Sequence, residues 1–156
     1  MFITGINATQ TDTVKQFALG TIGTNVVSGV VKTYKYVQYN DGAGDIAAVS
    51  GNVAYYYAPS GASAGSTTVV TSDVSDSAGL GAGVLQSAPA TGEYCWVQIK
   101  GPATITPALT AGADGNALTA VGAGDGTLDV SGLVTDAIVA YAVDASAKII
   151  LCDFPF

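Results

Sequence analysis

The chain has no histidine, no arginine and a single glutamate, Glu93, among 156 residues. Without histidine, proton transfer at neutral pH would need a pair of tuned carboxylates or a perturbed lysine. Without arginine and with only five lysines, Lys15, Lys32, Lys35, Lys100 and Lys148, it lacks the usual means of gripping phosphate. The twelve acids leave a net charge of −7, which excludes nucleic acid and anionic membrane as direct partners at the level of expectation. Cysteine is nearly absent too. Cys95 and Cys152 are too few for a disulfide scaffold or a zinc site, and both fall in strand-like runs, where buried free thiols are expected. No window offers the 18 or so apolar residues of a membrane-spanning helix, and the first residues show no basic-then-apolar leader pattern. The Asn7-Ala8-Thr9 sequon therefore carries no weight.

What remains is small, β-prone and poor in charge. Hydrophobic residues make up 49% of the chain, largely Ala and Val, whereas charged residues make up 11% against about 25% in ordinary soluble domains. Side chains of that size bury little area each, so burial against other subunits would add to a modest core. Short runs rich in Val, Ile, Thr and Tyr alternate with Gly, Asp and Ser, the pattern of an all-β sandwich or barrel. Strands are expected at 15–22, 32–39, 53–57, 67–71, 83–86, 93–100, 102–106, 116–121, 127–130, 137–143 and 147–152. Turn signals such as Asn40-Asp41-Gly42, Asp114-Gly115-Asn116 and Ser131-Gly132 separate them. Only Thr9–Ala18 reads as a short helix. The organisation is a single β domain over 1–156, with 1–31 as an N-terminal extension and the low-complexity 58–66 as a flexible loop rather than a hinge.

Two alternations sharpen this picture. In 94–100, Cys95, Val97 and Ile99 share a core-like face, and Tyr94, Trp96, Gln98 and Lys100 share the other. In 137–143 neither face is polar, so that strand is expected to be covered on both sides.

No catalytic residue survives inspection. Ser and Thr lack a histidine to activate them, no Ser-x-x-Lys element sits on a helix, and Cys95 has no histidine partner. Gly79–Gly83 looks like part of a dinucleotide loop but lacks a following helix, so a bulge or turn is the better reading. Gly122–Gly126 with Asp129 is one copy of a Gly/Asp-rich turn, without the repetition that makes a calcium site credible. No cofactor or metal is expected. The aromatics are the remaining candidates: Tyr34, Tyr36, Tyr39, Tyr55, Tyr56, Tyr57 and Tyr94, with Trp96, exceed what a small sandwich core needs. They suit either sugar stacking or subunit contact, and the sparse charge around them favours contact. Tyr34, Tyr36, Tyr94 and Trp96 are the expected interface.

The order of the C-terminal half resembles the small decoration, or cement, proteins of tailed-bacteriophage capsids. The residues that carry the likeness are Gly79–Val84, then Glu93–Ala103 with its Val97-Gln98-Ile99-Lys100-Gly101 strand, Ala111–Leu118, Asp136–Ala142 and Lys148–Leu151. Phe17–Thr21 and Tyr34–Tyr39 look like the first strands of such virion proteins. The resemblance implies a non-enzymatic homotrimer, assembled in the host cytoplasm, that sits on the outer capsid surface and clamps neighbouring major capsid protein subunits. The alternatives are a carbohydrate-binding head-fibre or adhesin module, and another virion β protein such as a tail-tube subunit.

Overall fold

A computed structural model describes residues 1–59 and 65–155. The strands in chain order are β1 (Phe2–Thr4), β2 (Thr11–Asp12), β3 (Ile22–Val27), β4 (Val30–Tyr39), β5 (Val53–Tyr57) and β6 (Val69–Thr71). They continue as β7 (Ser77–Leu85), β8 (Tyr94–Thr104), β9 (Ala117–Thr119), β10 (Asp129–Val130), β11 (Ala140–Asp144) and β12 (Ile149–Asp153). A single 3₁₀ turn at Val74–Asp76 is the only helical element among the described residues.

Strands β4, β6, β5, β7 and β8 pair in that order, and β8 pairs back on β4, closing a five-stranded barrel. The β4–β6 pairing is parallel and the other four are antiparallel. The spine is β8, the longest strand. One of its edges meets β4, and the other meets β2, β7 and β12 in turn. From β12 a flange extends through β11 and β9 to β10. On the opposite side β3 and β1 extend the sheet from β4.

The core follows from period-two alternation. Val37 and Tyr39 of β4 join Cys95, Val97 and Ile99 of β8, Val84 and Leu85 of β7 and Tyr55 of β5 in one buried cluster. That cluster continues beneath the flange through Leu118, Leu128, Ala140, Ile150 and Phe154. Large side chains are concentrated where the barrel closes, and small ones let strands approach. Gly83, at φ +147°, is one such point, since a Cβ there would lie 2.9 Å from the carbonyl oxygen of Gln98. The glycine run 79–83 is thus a bulged strand inside β7, where the β5–β7 register shifts.

Several boundaries differ from the sequence expectation. Residues 15–21 form no strand, and β3 begins only at Ile22; residues 9–18 contain no helix but the short β2. Segments 93–100 and 102–106 merge, because Gly101 at φ +93° carries β8 onward without breaking its pairing to β12. Strand β11 is covered on one side only. Ala140 and Ala142 are buried, whereas Tyr141 and Val143 are exposed. Composition misled here, because apolar residues on a solvent face look the same in sequence as buried ones. Of the loop expected at 58–66, residues 60–64 lie outside the described residues. Its ends are tied: the Ala58 N–H donates to the Asp76 carbonyl at 2.8 Å, and the Ser66 N–H to that of Tyr57 at 2.7 Å.

Candidate interaction surface

The aromatic row expected to contact other subunits contacts its own chain instead. Tyr34 and Tyr36 on β4 lie opposite Gln98 and Trp96 on β8, and Gln38 lies opposite Tyr94, so these six residues share one face. The N-terminal segment straps that face. It starts beside β3 as β1, crosses with Ile6 and Ala8, and pairs at the far edge of β8 as β2. It then returns with Phe17 and Leu19 to enter β3. Tyr34, Tyr36, Trp96 and Ile6 form a second buried cluster, and Tyr94 packs half-buried at its margin.

The geometry of this seam is tight. Trp96 lies 5.0 Å from the Tyr36 ring and 5.4 Å from the Phe17 ring, and Phe17 meets Tyr36 edge-on at 5.2 Å and 83°. Tyr94 stacks on Tyr36 at 6.1 Å. Such arrangements add roughly 0.5–1.5 kcal/mol per pair beyond area burial. Close approach requires a bare backbone at Gly23, where a Cβ would stand 2.8 Å from Ile6 Cδ1 and 3.0 Å from Trp96 Cζ3. The polar atoms are accommodated as well. Tyr36 donates its hydroxyl to Asp12 Oδ2 at 2.6 Å and accepts the Gln16 N–H at 3.3 Å. Burial, together with the Asp12 hydrogen bond, pushes the Tyr36 hydroxyl pKa well above its usual value. Tyr34, Tyr36 and Trp96 are therefore a sealed part of the subunit and not its docking surface.

The thiols and carboxylates are used structurally. Cys95 and Cys152 are buried free thiols, and burial pushes each up to about 12. Asp125 Oδ1 accepts the Val74 N–H at 2.9 Å, which spends the carboxylate of the 122–126 turn on a backbone contact. Buried Asp73 accepts the Gly44 N–H at 2.9 Å and both the N–H and hydroxyl of Ser75, at 2.9 and 2.6 Å. Burial alone would raise its pKa, but these hydrogen bonds and one from the Asp76 N–H hold it below the ordinary 3.8. No group of three or more His, Cys, Asp or Glu suited to a metal occurs among the described residues.

The exposed apolar surface lies elsewhere. Strands β3 and β4 form a hairpin closed by Ser28 and Gly29, at φ +52° and +77°. Two successive positive φ values are the requirement of the two-residue turn whose twist matches a hairpin. Val26 pairs with Val31 and Val27 with Val30, so both sides of the tip are apolar. Val26 is 64% exposed and Val31 61%. Cross-strand valine pairs stabilise a hairpin by about 0.2–1 kcal/mol. Threonine is β-branched as well, and would leave less apolar surface in water. Fully burying an exposed valine is worth about 1.5 kcal/mol, of which the free subunit leaves roughly two-thirds unrealised at Val26 and Val31.

This arm borders a cleft of about 250 Å³ lined by Val27, Val30, Lys32, Pro102, Thr104 and Ile149. From Ile149 the outer face of the flange continues to Leu151, which pairs with the exposed Tyr141 of β11. The arm departs from the sequence expectation, which assigns residues 1–31 to an extension. The overlooked signal was Ser28-Gly29 between two pairs of valines, a short turn within a β-prone run. Comparisons with protein families, curated proteins and solved structures find no match to this chain.

Proposed function

We propose that this chain is a non-enzymatic structural protein of a virion, which decorates the outer face of an icosahedral capsid as a homotrimer and bridges major capsid protein subunits. The observation that carries the reading is the valine arm beside the flange, an apolar surface held out on a hairpin from a closed barrel. A surface that docks only on the assembled lattice stabilises that lattice by mass action, with no chemistry required. The net charge of −7 suits a position outside the shell, where the protein does not compete for packaged nucleic acid. The resemblance to cement proteins points the same way.

The competing readings fit less well. A sugar-stacking adhesin built on the expected tyrosines and Trp96 needs them exposed, yet Tyr34, Tyr36, Tyr39, Tyr55, Tyr56 and Trp96 are all buried. A tube built by strand addition needs long open edges, but the terminal strands of the sheet, β1 and β10, have three and two residues. Short edges of this kind discourage edge-to-edge pairing. The test is to add purified protein to particles assembled from the encoding genome without this chain. Stoichiometric, saturable density at symmetry-related outer sites, with raised thermal stability of the particle, is the expected result. Absence of binding to the shell overturns the reading.

A further inference from the structure

A separate feature lies on the face of β4 turned away from the strap. Lys35 occupies the face of β4 that also bears Val37 and Tyr39, opposite Val97 of β8. It is only 6% exposed, an unusual position for an ammonium group. Its Nζ donates to the Tyr56 hydroxyl at 2.8 Å and sits 4.9 Å from the centre of that ring. A lysine carries three N–H donors, and a neutral phenol satisfies one of them without supplying a counter-charge. No carboxylate among the described residues lies within ion-pair distance of Lys35. Buried charges are ordinarily paired, because desolvation is costly without compensation.

The same two side chains open onto a cavity of about 250 Å³, walled by Thr67, Ala78, Leu80 and Pro155. Its volume is several times that of a water molecule, and Ala78, Leu80 and Pro155 give it an apolar wall, with Gly65, Ser66 and Thr67 also in its lining. A cation in a small chamber with an apolar wall calls for an anion with an apolar body. We propose that this cavity binds a carboxylate carried on a short apolar stem, with the carboxylate on Lys35 Nζ and the stem against Leu80, Ala78 and Pro155. A phosphate or sulfate fits less well. Either would bring more charge than one lysine can meet, into a lining whose other polar side chains, Tyr56, Ser66 and Thr67, are uncharged. The carboxylate has two sources of the same chemistry: a free short-chain acid, or the side chain of an acidic residue on a partner protein. The site is independent of the valine arm, so its failure leaves the capsid reading untouched.

The test uses butyrate as probe, with butyramide as the neutral isostere, followed by calorimetry and by amide chemical shifts of Ala78 and Leu80. Butyrate is expected to saturate the protein and shift those amides, and butyramide to bind at least tenfold more weakly. Lys35→Met keeps the stem and removes the charge. It is expected to fold at least as stably as the wild type and to lose butyrate binding by at least tenfold. If butyrate binds, N-acetyl-glutamic acid amide separates the sources. Competition shows that a protein side chain fits and exclusion restricts the site to free acids, and either result supports carboxylate recognition. Failure of butyrate to saturate, equal binding of butyramide, or unchanged binding by folded Lys35→Met overturns the proposal.

Discussion

The β3–β4 ribbon carries two apolar regions that meet opposite fates. Towards the barrel, Tyr34 and Tyr36 with Trp96 of the neighbouring strand are sealed by twenty-odd residues of the chain's own N-terminus. By period two the same face runs on through Lys32 to Val30, paired with Val27 at the tip, where both valines line an open cleft and stay about 40% exposed. The aromatic region is expensive to leave wet and has hydroxyls to satisfy, and the strap provides both Phe17 and the Asp12 carboxylate for it. The valine side chains of the tip carry no polar atoms. Those side chains can therefore stay exposed without leaving a side-chain polar atom unsatisfied, and be buried later against another protein without needing a side-chain hydrogen bond. The lesson is that the amphipathic Tyr34, Tyr36 and Trp96 mark an internal seam, and the plain valines of the arm mark an external surface.

The largest expected effect lies in the sealed region. Trp96→Ala opens a cavity between strap and barrel and is expected to lower folding stability by about 3–5 kcal/mol in chemical denaturation. Oligomeric state, read by light scattering across a dilution series, is expected to stay unchanged. A loss of association with folding stability retained would restore Trp96 to a subunit interface and break the comparison.

A smaller effect is expected from the hydroxyl beneath the strap. Tyr36→Phe removes the hydrogen bond to Asp12, whose carboxylate is buried and retains the Gln10 side-chain amide as a partner. Leaving a buried acceptor short of a donor costs about 1–3 kcal/mol. Tyr141→Phe on the exposed flange serves as the contrast and is expected to stay within about 0.5 kcal/mol of wild type. Equal costs at the two positions would show that the strap is not closed over Tyr36.

The loop carboxylates give a pH signature. Asp73 has its folded pKa held below 3.8, so the unfolded chain binds a proton more readily. The stability it contributes is fully present above the unfolded value and is lost as pH falls through the folded one. Urea midpoints of wild type are expected to drop over that acid window by more than those of Asp73→Asn. Parallel midpoint curves would mean that the Gly44 and Ser75 hydrogen bonds do not favour the carboxylate.

Much of this architecture was legible in the sequence. The all-β class, β5, the β8 alternation and the bulged glycine run of β7 all follow from residue type and spacing. Period two separates the faces of β8, Cys95, Val97 and Ile99 against Tyr94, Trp96, Gln98 and Lys100, and the core reading of the first face holds. What covers the second face was not legible, because the strap is irregular and its contacts with Tyr36 and Trp96 span sequence separations that no local pattern encodes. Phe17 and Leu19 in an apparent strand gave no sign that they turn back over β4. One-sided burial of β11 was hidden for the reason noted above, and the buried Lys35 because a lysine in an alternating strand is ordinarily assigned to solvent.

The central claim is that the valine arm is a docking surface, and the double substitution Val26→Ser with Val31→Ser tests it most directly. Both sites are mainly exposed, so the fold is expected to stay within about 1 kcal/mol of wild type, as surface changes usually do. Binding to capsids assembled without this chain is expected to fall by at least tenfold, measured by sedimentation of particles with bound protein. A folded double variant that decorates those capsids as tightly as wild type would contradict the claim.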